Sequence, residues 1–474
     1  MQKKNISSIL YTVFAVILFS LLLGYLYRLR LPYILLLLCG EAVVIPFWIR
    51  VRKRAGEEQK RFAEANMYME QMLYSFRKNP KILTALKDVE KLFADGDMKR
   101  CIGEAVDYVQ DTYGEDLILE KALGIIERSY PAQRILHAHR LMLNVERLGG
   151  NFEESVKILL ADRNLWEKET HAYQKRCAAQ KRNIVMAVAL SCLLCLMTPV
   201  LCQGALQTVN ITGQFIYQFS TLCMLLFSMG ICLYTEKYFA KDWLTEKAYR
   251  NSSAMLSKYE KVLHYDFMAA GKKSAVWAAL AMLVLVLLAI GRCWMLVFLC
   301  CPLIILLLFQ HKIDYSLARK AVIREIRKAF PDWLMEVSLL LQTENVSNSI
   351  QKSILYAPDI LKPELNFLVQ KLERAPESNI PYSEFLKDFE IPEISSAMGM
   401  LYSISDGSGS DAMIQLEDIL ERNAEWMSQS EILSNQDKMA KMYVLFLLPA
   451  LIGACKMVVD MTLILFAFFA SMHI

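Results

Sequence analysis

Apolar and charged residues alternate along this chain in long blocks. Asn5 to Tyr27 carries no charge, and Leu31 to Ile49 follows almost at once with Glu41 as its one charged side chain. Residues 183–235 contain no charged side chain at all. Two spans fit there, 184–202 and 215–235, with a polar turn at 203–214 that carries Gly204 and Gly213. Ser274–Ile290 and Cys293–Phe309 form another pair around Gly291-Arg292. The last run, Met442 to Met472, is broken only by Lys456 and Asp460, and reads as one long tilted span or two short ones. The pattern predicts an all-α polytopic membrane protein with seven or eight transmembrane helices. Because a second run follows the first directly, residues 1–49 read as a transmembrane hairpin and not as a removed leader.

Between the runs lie two long charged stretches of helical periodicity. In 50–183 the spacing predicts a helix over 57–76, a second from Pro80, a third over 98–111, a fourth over 117–128 and a fifth from Pro131 to Leu148. Gly149-Gly150 ends the fifth. Asn151, with Glu154 three residues on, fits a capping box for a helix that runs through Arg182 into the third span. Region 310–441 follows the same plan. Pro358, Pro363, Pro381 and Pro392 punctuate short helices, Gly407-Ser408-Gly409 breaks the chain, and a long helix leads into the last span. The expected organisation is therefore a hairpin at 1–49, a helical bundle at 50–183, a transmembrane pair at 184–235, a linker at 236–273, a second pair at 274–309, a second bundle at 310–441 and a terminal span at 442–474.

The two bundles align without gaps over their last third. At an offset of 260, Gly149 falls on Gly409, Val156 on Leu416, Leu159 on Ile419, Leu160 on Leu420 and Trp166 on Trp426. Upstream, at an offset of 268, Phe62 falls on Phe330 and Leu73 on Leu341. This order of glycine break, apolar stripe, tryptophan and span reads as an internal duplication. An even number of spans separates the copies, so both face one side, unlike the inverted repeats of transporters.

Charge sets the orientation. Arg50, Arg52, Lys53 and Arg54 follow the second span, Lys175, Arg176, Lys181 and Arg182 precede the third, and 203–214 carries no lysine or arginine. By the positive-inside rule both bundles are cytoplasmic, and almost nothing is exposed outside to receive a ligand. The overall balance, 53 basic against 49 acidic residues, gives no signal for nucleic acid. Most of the 12 cysteines sit in apolar runs, where they act as small apolar residues. Cys192-x-x-Cys195 is one of these and lacks the sheet context of a redox motif.

Few motifs carry chemistry. Gly407-x-Gly409-x-x-Ala412 matches a dinucleotide fingerprint in letters but follows a helical pattern, so a helix break is the expected use. No Walker A motif appears. His137 and His139 are two apart, on different helix faces, and are expected on a solvated surface. No nucleophile, metal or phosphate-loop constellation stands out, so neither an enzyme nor a cofactor is expected. Three intramembrane ionisable residues remain. Lys456 and Asp460 are four apart and can neutralise each other, and Glu41 lies midway along its span. They are read as packing glue, as a short loop at 456–460, or as contacts to a partner's membrane helix. Lys175, Arg176, Lys181 and Arg182 are either partner-facing or membrane anchors.

The stretch Val145-Glu146-Arg147-Leu148-Gly149-Gly150-Asn151-Phe152-Glu153-Glu154-Ser155-Val156, with Gly114-Glu115-Asp116-Leu117 before it, resembles the type II secretion system F domain. The likeness is to the TadB and TadC inner-membrane proteins of Tad (Flp) pilus systems. It covers 50–235 and, more loosely, 311–474, where Asp406-Gly407-Ser408-Gly409-Ser410-Asp411 replaces the glycine pair. The resemblance implies a non-enzymatic platform protein of a type IV pilus or type II secretion-like machine, in the inner membrane, with two F domains in one chain. It implies a hexameric secretion ATPase and pilin subunits as partners, and leaves a homo-oligomer open. Because pilin stalks in such systems carry a buried acidic group, it gives Lys456 a candidate pilin contact. A membrane scaffold or sensor unrelated to pili is the alternative.

Overall fold

A computed structural model describes residues 2–112, 117–149, 152–205, 211–240, 243–244, 252–290, 294–341, 344–407 and 410–472. Among these every regular element is helical and no strand occurs. Four helices are long and apolar enough to cross a membrane, within Leu31–Lys78, Glu153–Thr198, Phe215–Phe239 and Met442–Phe469. The other expected spans, at 5–27, 274–290 and 293–309, lie partly outside the residues whose side chains are described.

The helices are α1 (Gln2–Leu26), α2 (Leu31–Lys78), α3 (Ile82–Glu90), α4 (Asp97–Asp111), α5 (Ile118–Ser129), α6 (Gln133–Leu148), α7 (Glu153–Ala205), α8 (Phe215–Phe239), α9 (Ser252–Leu263), α10 (Phe267–Ile290), α11 (Trp294–Leu340), α12 (Val346–Ser353), α13 (Lys362–Arg374), α14 (Ile380–Glu384), α15 (Pro392–Asp406) and α16 (Ser410–Met472). Four of them, α2, α7, α11 and α16, are 47 to 63 residues long. Each joins an apolar run to a charged stretch without a break. A long helix enters, four short α-helices follow, and a long helix leaves. Among the described residues the chain makes this order of α-helices twice, over 31–205 and 294–472, the second time with two added 3-10 turns at Ile354–Tyr356 and Lys387–Phe389.

α16 continues through Pro449 as one helix. This excludes the reading of 456–460 as a loop between two short segments. A proline inside a helix leaves one carbonyl unpaired. The carbonyl of Pro449 itself accepts a hydrogen bond from Ser191 Oγ, at 2.8 Å.

The chain divides into two compact units. The first comprises 1–68, 163–245 and 432–474. In it Leu23, Tyr27, Leu37, Cys192, Cys195, Leu222 and Leu225 form one buried cluster. Ile211, Tyr217 and Leu463 form another, which brings the end of α16 beside the start of α8. The α1–α2 turn lies at that same end, because the Gln218 side chain binds the backbone of Arg28 and Arg30. Arg28 has a left-handed φ of 52°, which closes that turn.

The second unit comprises 69–162 and 246–431. Its core includes Val322, Ile326, Phe330, Trp333, Leu334 and Val337 of α11 with Leu365, Leu368, Ile394 and Leu401. α6 packs against α3, α5 and α11. Some positions that align in sequence are buried in both copies, Val156, Leu159 and Leu160 in one and Leu416, Ile419 and Leu420 in the other, whereas Trp166 and Leu73 are buried and their counterparts Trp426 and Leu341 only partly so. Phe62 and Phe330 are also both buried.

Candidate functional site

α6 begins after Ala132 and ends at Gly149, whose φ of 73° and ψ of −155° belong to glycine almost alone. Its partner in the sequence motif, Gly150, and the proposed cap Asn151 lie outside the described residues. The stripe Leu141 and Val145 turns inward, as its spacing dictates. In phase with that stripe are Arg134 and His137, and both are buried.

Burying an arginine is costly unless it is paired. Arg134 is paired on two sides. Its Nε and Nη2 donate to the two carboxylate oxygens of Asp162 on α7, at 2.8 and 3.2 Å. Nη2 also reaches Glu431 on α16, at 3.5 Å. Two turns along α6, the Arg140 guanidinium pairs with Glu336 of α11 at 2.7 Å and lies 3.5 Å from the Tyr356 ring centre. Burial holds the Glu336 carboxyl above the usual range, and Arg140 pulls it partly back. These two arginines therefore tie α6 and α7, from the first charged stretch, to α11 and α16, from the second.

His137 and His139 correct an expectation. Neither sits on a solvated face: they are 1% and 0% exposed. The reason is that α6 is surrounded, so two of its faces are interior. His139 Nδ1 lies 2.8 Å from Glu127 Oε1. His137 is pushed down to about 3 by burial, with Arg140 and Arg134 adding repulsion, so it is neutral. Among the described residues no group of His, Cys, Asp and Glu could hold a metal ion.

The break in the second copy works differently. Gly407 has φ −86° and ψ 152°, an extended conformation open to any residue. Small size matters there instead, since a Cβ would lie 3.0 Å from the Ser403 carbonyl oxygen. Gly409 lies outside the described residues.

In the first unit the intramembrane charges face inward. Lys456 and Asp460 are 3% and 0% exposed and are paired with each other on α16. The Lys456 ammonium lies 4.0 Å from the Tyr217 ring centre, and the Tyr217 hydroxyl donates to the Tyr27 carbonyl at 3.4 Å. The Tyr27 hydroxyl donates to the Cys192 carbonyl at 2.6 Å. The pair thus sits where α16, α8, α7 and the end of α1 meet. Asp460 Oδ2 has no hydrogen-bond partner among the described residues. Glu41 is likewise buried; it accepts from Ser20 of α1, while its Oε2 is unpartnered among the described residues.

The four basic residues before the third span separate into two kinds. Lys181 is bound to Glu236 of α8 at 2.7 Å and sits over the Phe239 ring. Lys175, Arg176 and Arg182 are exposed.

Sequence reasoning missed the Arg134, Asp162, Arg140, Glu336 and Tyr356 junction. One signal was available: an arginine seven residues before Leu141 stands on an apolar stripe. It also missed Tyr27, Tyr217 and Gln218, whose partners are far away in sequence. Compared with known proteins, the chain matches no family model, no curated protein and no solved structure.

Proposed function

We propose that the chain is the inner-membrane platform of a Tad/Flp-type pilus or type II secretion-like machine, coupling a cytoplasmic hexameric ATPase to the insertion of pilin into a fibre. One observation carries the reading: the same module, long helix in, four short helices, long helix out, is made twice in one chain. The proposed arrangement has seven spans, with the charged stretches in the cytoplasm and the end of α16 at the outer face. The protein does no chemistry of its own. A motor pressing on the short helices would act through α7 and α16, which run unbroken into apolar segments.

The inward direction of Lys456, Asp460 and Glu41 favours packing over contact with a pilin stalk. Deletion of the chain from its native cells tests the proposal. Pilin subunits should then accumulate in the membrane with no surface fibre, and a plasmid copy should restore the fibre. Normal fibres in the deletion strain would refute it.

A further inference from the structure

A groove of about 530 Å³ runs between α7 and α16 on the surface of the first unit. Its walls are Met186, Leu190, Leu194, Phe446, Ala450 and Ala454. Ser191 and Gly453 also line it, and a Cβ on Gly453 would meet the Ser191 side chain. From Asn183 to Cys195 it extends about 18 Å at 1.5 Å per residue. An extended hydrocarbon chain, whose width is set by carbon contacts of about 4 Å, fits.

The ends of the groove differ. Asn183 lines one end, and its side chain makes no hydrogen bond among the described residues. Arg182 is the next residue, and Arg176 stands seven residues before Asn183, on the same side of the helix and about 10 Å higher. Both arginines are exposed and have no acidic partner among the described residues. Free cations and an amide above an apolar slot complement a phosphate joined to an acyl chain.

We infer that this groove binds one anionic phospholipid, its acyl chain between α7 and α16 and its phosphate on Arg182, Arg176 and Asn183. The inference needs α7 and α16 to lie in a bilayer and is independent of the pilus reading. It adds a lipid-dependent clamp at the point where both long helices enter the membrane.

The test is native mass spectrometry of the full chain, reconstituted in an equimolar mixture of phosphatidylglycerol and phosphatidylcholine and then delipidated. The wild-type chain should retain one phosphatidylglycerol. Arg176→Gln/Arg182→Gln, at exposed sites, should weaken its retention about fivefold per cation, roughly 25-fold together. Ala450→Phe/Ala454→Phe should abolish it by filling the slot. A phosphatidylglycerol with a photoreactive acyl chain should label the wild-type helices at Leu190, Leu194 or Phe446, which reads the site without any variant. Equal retention of both lipids by the wild type, unchanged retention in the arginine double variant, or labelling elsewhere would overturn the inference. So would displacement of the lipid by a co-purifying single-span protein.

Discussion

Replacing Asp162 with alanine leaves Arg134 buried without its bidentate partner. Arg134 is 5% exposed and Asp162 1%, so the pair is shielded from solvent. Removing one member of such a pair costs about 3–5 kcal/mol. Glu431, 3.5 Å away and on a single nitrogen, recovers part of this. At about 2 °C per kcal/mol for a unit of this size, the full loss would lower the thermal midpoint by roughly 6–10 °C, and the share Glu431 recovers brings the fall below that. Arg134→Met/Asp162→Leu removes both charges and should return most of the loss, because apolar groups of similar volume replace a buried pair with little penalty. Asp95→Asn, which breaks the exposed Lys99–Asp95 pair, should be indistinguishable from wild type. Thermal unfolding in detergent, followed by tryptophan fluorescence, measures all three. If Asp162→Ala behaves like Asp95→Asn, or the double variant is worse than the single, the junction is not the buried tie described above.

Gly149→Ala should destabilise by about 1–3 kcal/mol through backbone strain alone, since no atom lies within 4 Å of the added methyl; chemical denaturation would show no effect if that conformation is absent. His137 is neutral when folded and charges in the unfolded chain below pH 6.5, so the unfolded state binds the extra proton and stability falls as pH drops. Between pH 7 and pH 5 the loss should be about 2 kcal/mol, and His137→Gln should remove that pH dependence. Lys456→Met should lower the yield of folded protein by leaving Asp460 buried and unpaired, and Lys456→Met/Asp460→Leu should restore it; an unchanged single variant on gel filtration would count against the packing role. Gly453→Ala should disturb the α7–α16 approach because the new methyl meets Ser191 Oγ. Ser191→Ala should rescue it, since the remaining distance to the Ser191 Cβ is 3.4 Å.

Much of the helical plan is legible in the sequence because its signals are local. Gly149 and the prolines mark ends that depend on a few neighbouring residues. α4, α5 and α6 begin and end within two residues of the spacing that predicts them. Continuity of α7 and α16 into apolar runs is also local, since nothing between bundle and span breaks the helix. The buried polar centres are a different matter. Arg134 meets Glu431 across 297 residues, and Tyr27 meets Cys192 across 165. No spacing rule links such positions; only the packing of several helices does. His137 and His139 show the same limit, because one-face reasoning fails for a helix enclosed on several sides. Gly407 stands at the expected helix break, between α15 and α16, but its backbone is extended and its small size is what the space beside Ser403 requires.

The platform account is tested most directly by a pull-down of the full-length chain from its native membranes in mild detergent, with mass spectrometry of what stays bound. It predicts a hexameric secretion ATPase together with prepilin subunits. A folded chain that retains other membrane proteins and neither of these would contradict it and favour a membrane scaffold or sensor.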